Sequence, residues 1–128
     1  MEMHTELTRT VGRLIEAGCH YRLDELATLY APDLRILIFL EDGVLLSVDH
    51  AENMAFFRDL KAAGAPPLDN SARFEHAEVQ GDTGYVIVSR RLDLGVGPKR
   101  VVFNLMLRHE SAHGWRVFRE HAVVLGDA

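Results

Sequence analysis

Near residue 70 the spacing of apolar residues along this chain changes, and the change limits which folds are open to it. Before that point, apolar residues recur every three or four positions, as they do on the buried face of an amphipathic helix. Beyond it they alternate with polar residues, which is the period of a half-buried strand. We therefore expect the helices in the first half of the chain and most of the strands in the second.

Three helices are predicted before residue 70. The first covers about residues 5–17 and carries a continuous apolar stripe. The second covers about residues 23–30 and stops ahead of Pro32, because the residue before a proline avoids the helical conformation. The third begins where Asp49 and Glu52 have the spacing of a capping box.

The remaining elements are predicted to be strands. A hairpin lies between the second and third helices, with Asp42 and Gly43 as its turn. Four more strands follow residue 70, at about 72–80, 85–94, 100–108 and 115–124. We predict a single α+β domain over residues 1–128, with three helices packed on a strongly curved antiparallel sheet.

Both faces of the strand that contains residues 101–107 are largely apolar. Phe103 and Leu105 belong to one face, and Val102 and Met106 belong to the other. Because the helices can cover only one face, the second must be covered by curling of the sheet or by another chain. We favour a homodimer formed through the sheet, since two-fold dimers are the commonest oligomers.

The net charge of −5 argues against a nucleic-acid binder, whose affinity comes from basic residues that neutralise phosphates. Arginines on strands usually lie on a solvated sheet face, and we interpret one basic group in this way. Its members are Arg90, Arg91, Lys99, Arg100 and Arg108. The single cysteine, the lack of a signal peptide and the lack of a bilayer-length apolar run favour a cytoplasmic protein that does not bind membranes.

Four segments follow one another in a characteristic order: 29–33 (LYAPD), 48–57 (VDHAENMAFF), 80–84 (QGDTG) and 114–121 (GWRVFREH). Together they resemble the nuclear transport factor 2-like superfamily, which includes ketosteroid isomerase and the SnoaL-like polyketide cyclases. The resemblance implies a cone-shaped, cystatin-like roll that encloses a pocket and dimerises through its sheet.

The resemblance does not carry over the chemistry of ketosteroid isomerase. Leu14 stands where that enzyme has its oxyanion-binding tyrosine, and Ile38 stands where it has its aspartate base. In that enzyme a protonated acid on a later strand assists the reaction, and its counterpart here is Asn104 or Met106. Since leucine and isoleucine neither move protons nor stabilise an oxyanion, we do not expect that mechanism in that arrangement.

The closing strand supplies the first candidate site residues. If Val117 faces the helices, strict alternation places Trp115, Arg119 and His121 on the same inner face. Arg119 would then anchor a carboxylate or similar group, and His121 would act as a hydrogen-bond donor or general base. The alternative is structural: Arg119 pairs with a buried carboxylate, and His121 bonds a backbone carbonyl.

His76, close to Glu75 and Glu78, is the second candidate base, although such pairs are common on protein surfaces. Arg91 and Asn104 are candidates for anchoring or polarising a substrate. Aromatic side chains that either form the pocket wall or belong to the core are Tyr30, Phe57 and Trp115. The seven histidines form no metal-binding spacing and no nucleotide motif occurs, so we predict no metal and no cofactor.

These features lead to two main hypotheses. The first is a pocket protein of the SnoaL-like type, a cofactor-free isomerase, cyclase or dehydratase that acts on a small apolar molecule. The second is a non-catalytic dimerisation or ligand-sensing domain with a vestigial pocket, which the missing tyrosine and aspartate favour. A third reading is a subunit of a larger assembly, because the small subunit of ring-hydroxylating dioxygenases has a similar fold.

Overall fold

The computed structural model describes residues 3–93 and 95–128 of the chain. The helices are α1 (Thr5–Cys19), α2 (Leu23–Leu29) and α3 (His50–Ala62). The strands are β1 (Tyr30–Phe39), β2 (Leu45–Asp49), β3 (Ala72–Gln80), β4 (Thr83–Asp93), β5 (Pro98–Glu110) and β6 (Gly114–Asp127). The predicted order of two helices, a hairpin, a third helix and a four-stranded meander is therefore confirmed.

The strands form one open six-stranded sheet in the order β2-β1-β6-β5-β4-β3. Neighbouring strands are antiparallel except for β1 and β6, which run parallel. The α+β class is confirmed, but the sheet is mixed rather than wholly antiparallel. The meander fixes the direction of β6, and β1 enters the sheet between β6 and β2 after the short helix α2.

The start of α3 follows its local sequence signal. At the start of α3, Asp49 Oδ1 accepts a hydrogen bond from the Glu52 amide at 2.9 Å, and Glu52 Oε1 accepts one from the Asp49 amide at 3.2 Å. This is the predicted capping box. Pro32 lies inside β1 rather than after a helix. It falls between Tyr30 and Arg35, where the pairing of β1 with β6 is irregular, so its missing N–H disrupts no regular ladder.

The core lies between the helices and one face of the sheet. Leu7 and Val11 of α1 are fully buried against this face. At Gly84 of β4, an added Cβ would lie 2.7 Å from Leu7 Cδ2, which shows how closely this strand approaches α1. None of the helices in the described ranges combines the length and apolarity needed to cross a bilayer.

Candidate functional site

The helices and the inner face of the sheet enclose a cavity of about 770 Å³. Most of its wall is apolar, with contributions from α1, α3 and several strands. The buried or half-buried polar residues of this wall include Tyr30, Asn53, Arg90 and Glu120. Further charged residues also line the cavity: Glu41, Asp42, Glu52 and Lys99. A large apolar cavity with a few polar groups is the usual form of a small-molecule site.

Glu120 reaches the cavity because β6 contains a bulge. Leu107 of β5 pairs with Val117, whereas the adjacent Met106 pairs with Arg119, so Phe118 is an extra residue without a partner. One extra residue reverses the alternation of side chains beyond it.

The inward orientation expected for Arg119 and His121 is therefore wrong. Trp115 and Val117, before the bulge, face the helices as predicted and are buried. Beyond it, Glu120 is buried and lines the cavity, and its two neighbours are exposed.

Glu120 is a buried carboxyl with a strongly altered acidity. Its side chain is 9% exposed, and the Tyr30 hydroxyl donates a hydrogen bond to Oε1 at 3.4 Å. Burial raises the pKa of Glu120 from 4.5 to about 7, because water no longer stabilises the charged form. The positive charge of Arg90 and the Tyr30 hydrogen bond oppose this rise only in part.

Tyr30 and Asn53 complete the polar group around Glu120. Burial, followed by the nearby Glu120 charge, raises the pKa of Tyr30 well above its usual range, so the phenol stays protonated and remains a donor. The Asn53 side chain opposes this rise in the pKa of Tyr30. Its Nδ2 is buried and has no acceptor among the described residues. The cavity thus contains one amide donor that is available to a ligand.

Arg90 of β4 lies in the cavity wall. The expectation that it belongs to a basic group on a solvated face of the sheet is therefore wrong for this residue. Nη2 donates to Cys19 Sγ at 3.2 Å and to the Asp69 carbonyl at 2.9 Å. The guanidinium carbon lies 5.7 Å from the centre of the Phe103 ring. Burial raises the pKa of the Cys19 thiol, and Arg90 opposes that rise. This pocket wall therefore holds a neutral thiol beside a cation.

The two candidate anchors on the closing strand make contacts outside the cavity. Arg119 Nη1 donates to the backbone carbonyls of Asp33 at 2.9 Å and Phe118 at 2.6 Å. The His121 ring packs edge-on against Phe39 with 5.9 Å between centroids. The internal ion pair considered for Arg119 is not formed with any described residue.

The other sequence-predicted polar residues share this outer face of the sheet. His76 contacts Glu78 Oε1 at 3.0 Å. Asn104 Oδ1 accepts from the Tyr85 hydroxyl at 3.0 Å, and Asn104 Nδ2 donates to the His121 carbonyl at 3.3 Å. Arg91 is exposed, since it alternates with the inward-facing Arg90. The structure therefore brings together His76, Arg91, Asn104, Arg119 and His121 on the face opposite the cavity.

The predicted aromatic wall is divided. Tyr30 and Phe57 line the cavity. Trp115 instead belongs to the core cluster and packs against His109, with 5.0 Å between ring centroids. Leu14 and Ile38 also line the cavity, so the two positions matched to the ketosteroid isomerase tyrosine and aspartate do face a pocket, but carry apolar side chains.

Within the described ranges, no three histidine, cysteine or acidic side chains converge as metal ligands would. Besides the charged Glu41, Asp42, Glu52 and Lys99, the cavity wall holds one interacting polar group of four residues: Glu120, Tyr30, Asn53 and Arg90. Of these four, only Tyr30 was predicted from the sequence as a site residue.

Comparison with known proteins gives a fold but no activity. No family model matches the sequence, and no curated protein matches it. A nuclear transport factor 2-like protein from Cytophaga hutchinsonii superposes with a TM-score of 0.76 at 14% identity, over 98% of this chain and 100% of the other.

Two further structures agree. A protein of this type and of unknown function from Silicibacter pomeroyi gives a TM-score of 0.73 at 19% identity, over 92% of each chain. One from Rhodospirillum rubrum, described as of unknown function in nutrient uptake, gives 0.70 at 21% identity, over 93% of this chain and 98% of the other. With three helices packed on a bent six-stranded sheet, this chain has the nuclear transport factor 2-like fold.

Proposed function

We propose that this chain binds a small, largely apolar organic molecule in the cavity and catalyses proton transfer without a cofactor. One observation carries the proposal: Glu120, buried in an apolar cavity, has a pKa of about 7. A carboxyl group with this pKa is divided between its acid and base forms near neutral pH. A general acid or base is most effective under that condition. Perturbed acids in clefts are also typical of functional sites.

Three of the polar side chains have a part in the proposed reaction. The Glu120 carboxylate accepts a proton from the substrate while the Tyr30 hydroxyl stays bonded to it. The free Asn53 Nδ2–H donates to a substrate oxygen on which negative charge develops. Glu120 then returns the proton to another atom, which gives an isomerisation, or to a leaving hydroxyl, which gives a dehydration. The apolar wall excludes water from these steps.

The proposal is tested with nitrobenzisoxazole, a small apolar compound whose ring opens when a base removes one proton and which releases a coloured phenolate. We expect the rate to rise with pH through a single ionisation near 7. Glu120→Gln should lower the rate by about 100-fold or more, because an amide cannot accept the proton. The matched control is Glu78→Gln, which removes an exposed carboxylate on the outer face and should leave the rate unchanged.

The same measurement separates the two hypotheses. An unchanged rate in Glu120→Gln, or a profile without an ionisation near 7, contradicts catalysis by this residue. Saturable binding of the compound without turnover would favour the non-catalytic, ligand-sensing alternative. The specific SnoaL-like type rests on the sequence resemblance alone.

We also propose a homodimer formed through the outer face of the sheet. Phe39, Leu45 and Met106 are all exposed there, and apolar patches of this kind are typical of protein interfaces. A second copy of the chain is the simplest partner, since a two-fold dimer buries the same patch on both subunits.

A further inference from the structure

We infer that the ligand of the cavity carries one anionic group, such as a carboxylate or sulfonate, and that Arg90 binds it. The ligand would then be an amphiphilic acid with an apolar body. This inference rests on the binding part of the proposed function, and it is independent of catalysis by Glu120.

The first support is the position of Arg90 within β4. Val86, Val88, Arg90 and Leu92 alternate along the inner face, and the last three line the cavity. The half-buried side chain of Arg90 therefore lies on the cavity side of the sheet. The neighbouring Arg91 points the opposite way and is exposed.

The second support is the absence of an ion-paired counter-charge. Arg90 forms no ion pair with any residue that the structure describes. The two acceptors of its Nη2, the Cys19 thiol and the Asp69 carbonyl, are uncharged. Its Nε is buried and has no acceptor in the described part of the chain. A buried guanidinium N–H without an acceptor is unfavourable until an acceptor, best an anion, reaches it.

Glu120 does not supply that counter-charge. Arg90 lowers the pKa of Glu120, but burial outweighs this effect and the pKa remains about 7. The carboxyl is therefore partly protonated at neutral pH, and it forms no ion pair with Arg90. A ligand carboxylate would supply the full negative charge that Glu120 lacks.

The third support is that Arg90 is held in place before a ligand binds. The Asp69 carbonyl and Cys19 fix Nη2, and the ring of Phe103 lies beneath the guanidinium. Arginine binds planar anions well because its N–H groups form a rigid fork. The nearest cavity-lining residues on β4 and β5 are apolar: Val88 and Leu92 flank Arg90 on β4, and Val101 of β5 pairs with it. These surroundings match one charged group on an otherwise apolar molecule.

The experiment uses two fluorescent dyes that differ by a single sulfonate: anilinonaphthalene sulfonate and the neutral phenylnaphthylamine. Both are titrated into the full chain at pH 7 and moderate salt. We expect Arg90→Met to weaken binding of the sulfonate dye by about tenfold or more, while the Kd of the neutral dye changes less than about threefold. Arg91→Met is the matched control, because it removes the same charge from the outer face and should change neither Kd appreciably.

A second measurement needs no variant, in case Arg90→Met fails to fold. The neutral dye is displaced from the unaltered protein by decanoate and by decanol, which share a chain length and differ in charge. We expect decanoate to compete at lower concentration than decanol.

The outcomes separate this inference from the proposed function. Equal losses for both dyes in Arg90→Met, with decanol competing as well as decanoate, would overturn the anion site and leave Arg90 with a structural role. If the unaltered chain binds neither dye and neither competitor, binding in the cavity fails, and this inference fails with it. Loss of the nitrobenzisoxazole reaction alone would not affect the anion site.

Discussion

Glu120 shows how a single residue can lower the stability of a fold while giving its cavity reactivity. Its carboxyl has one hydrogen bond from Tyr30 and lies in an apolar wall, so its charged form is poorly stabilised. Residues that violate the rules of core packing tend to occur at functional sites. The same burial that gives the pKa of about 7 therefore makes stability depend on pH.

The sign of this dependence follows from the two states of the chain. The pKa of Glu120 is about 7 when folded and near its ordinary 4.5 when unfolded, so the folded chain holds the proton more tightly between these values. The free energy of unfolding should therefore be highest below about pH 4.5 for this group, and should fall by about 3 kcal/mol as pH rises to 7. Glu120→Gln should remove this loss.

The measurement is urea unfolding at pH 5 and pH 8 for both proteins. The Gln variant should gain stability relative to the unaltered chain at the higher pH only. Asp59→Asn on α3 serves as the comparison, since loss of its exposed carboxylate should leave the difference between the two pH values as it was. Parallel behaviour of all three proteins would mean that Glu120 is not buried as a neutral acid.

At the scale of elements, the sequence was sufficient for the helices, the turns and the meander, but it was not sufficient for strand register. The capping box at Asp49 and the change of period near residue 70 are local signals, and both were read correctly. The bulge at Phe118 depends on the pairing of β6 with β5, and nothing in an apolar strand marks which residue will be left over. Because of this one bulge, Glu120 faces the cavity, and Arg119 and His121 lie on the opposite face of the sheet.

The inward position of Arg90, unlike that of Glu120, could have been predicted from the sequence, because the alternation of residues along β4 indicates it. Val86, Val88 and Leu92 form the apolar set of β4, and Arg90 occupies the same alternating series. A charged residue within a buried series was interpreted as part of a solvated basic group, since arginines on strands are mostly exposed. The face on which a side chain lies can thus be predicted within one unbroken strand, but it cannot be predicted beyond a bulge.

The close approach of β4 to α1 gives a prediction about these two elements. In Gly84→Ala the new methyl would meet Leu7, which is fully buried and packed on several neighbours. We expect the free energy of unfolding to fall by about 1–3 kcal/mol from overpacking. Urea unfolding at constant pH measures the change.

Gly12→Ala on α1 is the matched substitution with the opposite expectation. No atom lies within 4 Å of a Cβ added at Gly12, and alanine is the better helix former, so this variant should gain about 0.5–1 kcal/mol. If Gly84→Ala were neutral, Leu7 would have room to move aside, and the strand would approach the helix less tightly than described.

At the scale of the whole molecule, the two faces of the sheet have different surroundings. The inner face forms the core and the cavity, and the outer face combines apolar residues with a polar group that includes His76 and Asn104. The apolar character of both faces was evident from residues 101–107 alone. The sequence does not show what covers the outer face in solution, because a pattern of exposed apolar residues indicates an interface without identifying its partner.

The proposed dimer can be tested by placing a charge at the centre of that face. Met106 is 40% exposed on β5, and Met106→Glu would bring two carboxylates into a self-complementary interface. We expect the unaltered chain to sediment as a dimer and this variant to shift to monomer at micromolar concentration. Met3→Glu is the matched control, because Met3 is 41% exposed, precedes α1 and should leave the dimer intact. A monomeric unaltered chain, or a dimer that tolerates Met106→Glu, would exclude this face as the interface.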